Sequence, residues 1–147
     1  MSEIEIRQMR KEDIEDVYAI EKESFTDCWA RNDYVTFEKE NGRLFFVALY
    51  QESIVAYCVV TRVVDECEIL RIAVKKSCRR LGIAYRLLKE VIDLSQSSKV
   101  RFYYLEVRES NVNAKKLYEK LGFLESGRRK DYYRNPAEDA VLMSLVV

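Results

Sequence analysis

The segment that most constrains this chain is Leu70-Arg71-Ile72-Ala73-Val74, an apolar strand that runs through the basic turn Lys75-Lys76-Ser77-Cys78-Arg79-Arg80 into Leu81-Gly82-Ile83-Ala84. From Ala84 the apolar residues Leu87, Leu88, Val91 and Ile92 recur at helical spacing, so a strand is followed by an amphipathic helix that needs a sheet to pack on. The spacing predicts that this helix ends near Ser97-Ser98 and that Val100 to Val107 is the next strand. A right-handed crossover then makes the strands Glu68–Val74 and Val100–Val107 parallel neighbours. The same junction is a place for an anion. The first turn of a helix presents unpaired N–H groups and the positive end of its dipole, and Gly82 has no side chain to keep a ligand away. Lys75 and Lys76 read as solvated.

The rest of the chain predicts a mixed sheet. Glu3 to Arg7 alternates as a strand, and a helix from about Glu12 carries Ile14, Val17, Tyr18 and Glu21 at helical intervals. A second helix is expected over Arg31 to Glu40. Leu44–Tyr50 and Ile54–Val64, separated by Gln51-Glu52-Ser53, have the pattern of an antiparallel hairpin. Asn111 to Leu121 reads as a helix with Ala114, Leu117, Tyr118 and Leu121 on one face, closed by a left-handed cap at Gly122. Phe123–Arg128 and Ala140–Val146 complete the strands. The expected fold class is α/β: one domain over residues 1–147, a mostly antiparallel sheet with a central parallel pair, and helices on both faces.

Composition excludes several functions. The 25 basic and 25 acidic residues cancel, so no global field draws nucleic acid or an anionic membrane, and neither is an expected partner. There is no histidine, which removes His-dependent triads and Cys/His zinc ligation; no metal is expected. The cysteines Cys28, Cys58, Cys67 and Cys78 form no C-x-x-C pair and read as reduced thiols, Cys28 and Cys78 being the more exposed. With no apolar run of about eighteen residues and no secretory leader, a cytoplasmic location is expected.

Arg79-x-x-Gly82-x-Ala84 fits the R/Q-x-x-G-x-G/A signature of the GCN5-related N-acetyltransferases (GNAT). Leu105-Glu106-Val107-Arg108-x-Ser110-Asn111-x-x-Ala114-x-x-Leu117-Tyr118-x-x-Leu121-Gly122-Phe123 resembles the second half of that domain in its RimI-type branch, the ribosomal-protein N-alpha-acetyltransferases. Ser24-Phe25-x-x-x-Trp29, Tyr132-Tyr133 and Glu138-Asp139-Ala140 are similar to the same branch, so the likeness covers essentially the whole chain.

The resemblance implies acetyl-CoA as co-substrate, held where the two parallel strands splay apart. Ile72, Ala73 and Val74 would meet the pantetheine arm and acetyl group through their main chain. Amides from Arg79, Arg80, Leu81, Gly82, Ile83 and Ala84 would meet the pyrophosphate, and Asn111 and Tyr118 would also touch the cofactor. The implied reaction is direct attack of an amine on the thioester through a tetrahedral intermediate, with Glu106 taking the amine proton, directly or through a water, and Tyr118 donating to the departing sulfur. A backbone N–H near Val74 would hold the oxyanion.

A peptide α-amine titrates near about 7.7 to 8.0, so a fraction is neutral at pH 7, whereas a lysine side chain near about 10.4 is handicapped by roughly a further 3.5 kcal/mol. The favoured acceptor is therefore a protein N-terminus, in keeping with a ribosomal protein. A small amine, a lysine side chain, or a non-catalytic acyl-CoA-binding role are the alternatives. For the acceptor, Phe25 and Trp29 either wall a pocket for its first side chain or fasten the N-terminal helices to the sheet. Tyr132 and Tyr133 would hold its backbone. Asn111 suits helix capping and cofactor contact alike. Arg128, Arg129, Lys130 and Arg134 form a basic cluster that is either a surface for an acidic or RNA-bound target or a solvated loop, the loop being the favoured reading. Two departures from the branch stand out: Cys28 precedes Trp29 where proline is frequent, and Arg71 stands where a smaller polar residue is expected, which bears on the acceptor pocket.

Overall fold

The computed structural model describes residues 3–37 and 42–147. Among these, seven strands form one sheet: β1 (Ile4–Gln8), β2 (Arg43–Tyr50), β3 (Ser53–Val63), β4 (Glu66–Val74), β5 (Phe102–Arg108), β6 (Leu124–Tyr133) and β7 (Glu138–Val146). They lie in the order β1-β2-β3-β4-β5-β7-β6. Every neighbouring pair is antiparallel except β4 and β5. The helices are α1 (Ile14–Ser24), α2 (Arg31–Phe37), α3 (Ile83–Ser97) and α4 (Val112–Lys120), with single 3-10 turns at Lys11–Asp13 and Lys76–Cys78.

Alternation along the central strands splits the core in two. Phe45, Val47, Tyr57 and Val59 face Ile14, Val17 and Ile20 of α1 and Tyr34 of α2. Phe46, Ala48, Cys58 and Val60 face Ile83, Leu87, Leu88 and Val91 of α3 and Tyr118 of α4. Helices therefore cover both faces of a mixed sheet, as the sequence pattern predicts. No helix among the described residues is long and apolar enough to cross a membrane.

Several boundaries differ from the sequence reading. The second helix is seen over Arg31–Phe37, and its expected continuation to Glu40 lies outside the described residues. β6 runs on to Tyr133 rather than stopping at Arg128, so Arg128, Arg129 and Lys130 belong to an edge strand and not to a loop. Nearly every residue of this strand is exposed, so no apolar alternation marks it in the sequence. Gly122 has φ +103° after α4, with Gly122 N–H donating to Glu119 and Phe123 N–H to Tyr118, the paired bonds of a left-handed C-terminal cap.

Candidate active site

The parallel ladder is short. β4 and β5 pair through Glu66 with Phe102, Cys67 with Tyr103, Glu68 with Tyr104 and Ile69 with Leu105, and no further. Beyond that point β4 continues to Val74 and β5 to Arg108 without pairing to each other. The separation has a local cause. On the other side of β4, Val60 pairs with Ile69 and Val59 with Arg71, which leaves Leu70 as an extra residue that bends the strand.

Main-chain groups line the resulting opening. Lys75 N–H donates to Val55 O at 2.8 Å, and alternation along β4 then aims Ala73 and Arg71 at β3 but Ile72 and Val74 at the opening. Ala73 thus offers its backbone to Tyr57 on β3, its partner in the register. Val74 O accepts from Arg79 Nε at 2.9 Å, and Arg79 also donates to Ser24 Oγ at 3.2 Å. The arginine of the signature is therefore a brace between β4, the turn and α1.

Next to the opening stands the N-terminus of α3. Gly82 is its N-cap, with φ +77° and no side-chain cap, and no acidic residue lies in the first turn. A Cβ added at Gly82 would meet nothing within 4 Å, so the surroundings are open and the glycine is there for its backbone angle. Arg79, Arg80 and Leu81 lead into it, all exposed, and Ile83 is buried beneath it. The uncapped donors of Ile83 and Ala84 suit a phosphate. At α4, the Asn111 side chain accepts from Ala114 N–H at 3.1 Å, so Asn111 is the N-cap of that helix.

Glu106 and Tyr118 lie on opposite faces of the sheet. Leu105 and Val107 pack with Tyr118 against α3 and α4, so Glu106, between them, points to the α1 and α2 side. Tyr118 is buried, its ring edge-on to Phe123 at 6.0 Å. Burial pushes its hydroxyl above the usual tyrosine value, and the hydroxyl has no hydrogen-bond partner among the described residues.

On the other face Glu106 Oε2 lies 2.8 Å from Arg129 Nε. The contact is an ion pair only, because the Arg129 N–H is not directed at that buried oxygen, which accepts no hydrogen bond. Glu68, on β4, is raised by burial and then by the Glu106 charge. Tyr132 is raised first by Glu106, and Tyr133 is pushed up to about 12 by burial and then by Glu106. Arg108 fixes this corner: its guanidinium donates to Arg134 O, Pro136 O and Glu138 and stacks on Tyr133 at 4.4 Å. Tyr132 lies edge-on to Tyr133 at 5.1 Å.

Phe25 and Trp29 share this face through a hub the sequence did not reveal. Glu21, fully buried on α1, accepts from Trp29 N–H at 2.7 Å, from Tyr34 Oη at 2.8 Å and from Tyr57 Oη. Arg71 is ion-paired to it at 3.2 Å. The guanidinium of Arg71 lies 4.1 Å from the centre of the Phe25 ring and 4.5 Å from that of Trp29. Both aromatic residues thus help tie α1 to the sheet through Glu21 and Arg71. The available signal was a carboxylate on the buried stripe of a helix, which requires partners. No cluster of His, Cys, Asp and Glu suited to a metal exists among the described residues. Cys28 is exposed, Cys78 half-buried, and Cys58 and Cys67 are buried free thiols.

Residues 14–123 match the model of the acetyltransferase (GNAT) family. A protein of Bacillus subtilis (strain 168), proposed to be a ribosomal protein bS18-alanine N-acetyltransferase, is 34% identical over 143 residues, covering 97% of this chain and 95% of its own. The crystal structure of the ribosomal-protein-S18-alanine N-acetyltransferase from Escherichia coli superposes with a TM-score of 0.90 at 30% identity, covering 98% of this chain and 94% of that one. Ard1 from Thermoplasma volcanium also reaches 0.90, at 28% identity, with 98% and 97% covered.

Proposed function

Because the chain belongs to the acetyltransferase (GNAT) family, we propose that it transfers acetyl from acetyl-CoA to the N-terminal α-amine of a protein. The alanine terminus of a ribosomal protein is the acceptor class suggested by the names of its relatives. The compartment that goes with such an acceptor is the cytoplasm, and the whole chain, 1–147, is taken as one such domain.

The observation that carries the reading is the end of the β4–β5 ladder at Ile69 and Leu105, with Glu106 on one face of the sheet and Tyr118 on the other. Acetyl-CoA supplies an activated acyl carbon with a thiolate leaving group. Ile72 and Val74 offer main-chain groups along the opening, and the uncapped start of α3 offers amides for the pyrophosphate. Glu106, on the acceptor face, removes a proton from the incoming ammonium directly or through a water. As the N–C bond forms and the C–S bond breaks, Val74 N–H holds the oxyanion and Tyr118 donates its proton to sulfur. The raised hydroxyl of Tyr118 keeps that proton available at neutral pH.

The test is incubation of the protein with acetyl-CoA and a peptide library, followed by mass spectrometry that scores α against ε modification. Acetylation of α-amines, with alanine-first peptides among the best, is the expected result. Acetylation confined to lysine side chains or to free small amines would overturn the reading.

A further inference from the structure

One arrangement on the acceptor face goes beyond what acetyl transfer requires. Arg71 lies on β4 past the end of the parallel ladder, beside Ile72, whose main chain faces the opening. Its side chain points to the acceptor face and is only 11% exposed. We propose that Arg71, held in place by Glu21, sets the size of the first side chain that the acceptor can carry, by filling the space between Phe25 and Trp29. The proposal rests on the α-amine reading above.

Three observations carry it. The guanidinium approaches both rings at 4.1 and 4.5 Å, so the slot between them is filled and no further side chain enters it. The group is not free to leave: one end is paired with Glu21 Oε2 at 3.2 Å and another nitrogen donates to Asp27 O at 3.1 Å. Glu21 is itself immobilised by Tyr34 and Tyr57, and the oxygen that holds Arg71 also accepts from Trp29 N–H. One buried carboxylate therefore fixes both the plug and a wall of the slot.

The consequence for specificity is a matter of displacement. A small first side chain, such as that of alanine or serine, fits without disturbing the plug. A leucine or phenylalanine has to push Arg71 aside and leave the Glu21 charge unpaired in the interior, which is strongly unfavourable. Arg71 thus acts as a positioning residue whose effect depends on the substrate. A tie of α1 to the sheet and nothing more would instead affect all acceptors equally.

The experiment compares wild type with the double variant Arg71→Ala, Glu21→Gln, which vacates the slot without stranding a charge, and with Arg71→Lys, which keeps a cation opposite Glu21 but not the planar filling. An equimolar mixture of peptides differing only in the first residue (Ala, Ser, Leu, Phe) is acetylated and quantified by mass spectrometry, so that relative kcat/KM values are read within one tube. The Leu-first to Ala-first ratio is expected to rise about tenfold or more in the double variant, and less, in the same direction, in Arg71→Lys. If the double variant does not fold, Arg71→Lys decides alone. Ratios unchanged from wild type in every folded variant overturn the proposal. Wild type that acetylates none of the four α-amines overturns the underlying acetylation reading instead.

Discussion

The two faces of the sheet at the β4–β5 opening are built from different materials. The opening itself and the α3 and α4 side offer mostly backbone: the main chain of Ile72 and Val74 along the edge of β4 and the uncapped start of α3 at Gly82, with Tyr118 buried on that side. The α1 and α2 side offers side chains: Glu106 with Arg129, Tyr132 and Tyr133, and the Glu21–Arg71 hub that holds Phe25 and Trp29. Backbone can hold a ligand whose chemistry does not vary, such as acetyl-CoA. Side chains can be exchanged to suit an acceptor without disturbing it. Damage on one face should therefore spare binding on the other.

The sharpest way to break this comparison is Glu106→Gln. Loss of a general base typically costs about 10²- to 10⁴-fold, so kcat should fall by that amount, while acetyl-CoA affinity by calorimetry stays that of wild type. A large loss of cofactor affinity would mean that the two faces are not separable. Glu21→Ala probes the acceptor hub. It leaves Arg71 without its buried partner, and denaturant unfolding should show a loss of about 3–5 kcal/mol. A change below 1 kcal/mol would show that the hub is not what holds α1 to the sheet.

Gly82→Val acts on the backbone side. A β-branched residue at φ +77° is strained by about 1–3 kcal/mol, and the KM for acetyl-CoA should rise about tenfold with the acceptor KM unchanged. Smaller still is a pH effect. The Tyr118 hydroxyl is held above its usual value by burial, so kcat should stay level to at least about pH 10, where an ordinary tyrosine is already half ionised. An alkaline limb below that pH, absent from Tyr118→Phe, would show that the Tyr118 hydroxyl is not raised; one that persists in Tyr118→Phe would belong to another group.

Away from the site, Asp13 gives a control. Burial alone would raise its carboxyl, but hydrogen bonds from Arg7 and Arg10 and the Arg7 charge hold it below its usual range. A depressed folded value means that its stabilisation is complete above the ordinary carboxylate pKa and is lost as pH falls through the folded one. The Tm advantage of wild type over Asp13→Asn should shrink on acidification, equally with and without acetyl-CoA.

The same contrast explains what the sequence made legible. The crossover, α3, Gly82 and the Gly122 cap follow from local spacing and from conformations that few residues adopt, so they can be read from neighbouring letters. The cap role of Asn111 follows likewise from its place at the start of α4. Glu21 and Arg71 stand far apart in the chain, and only the antiparallel packing of β3 and β4 under α1 brings them together. β6 escaped full recognition because an exposed edge strand carries no apolar stripe, and with it went the placement of Arg129 beside Glu106. The bulge at Leu70 leaves no mark in composition at all, yet it bends the strand that lines the opening.

The central claim is that the parted ends of β4 and β5 receive the acetyl thioester between a base and an acid on opposite faces. A crystal structure with acetyl-CoA tests it most directly. The account predicts the pantetheine amides bonded to the main chain of Ile72 and Val74, the sulfur within hydrogen-bond reach of Tyr118 Oη, and the acetyl carbon open to the Glu106 face. Continuous β4–β5 pairing past Ile69 and Leu105, with the cofactor bound elsewhere, would contradict it.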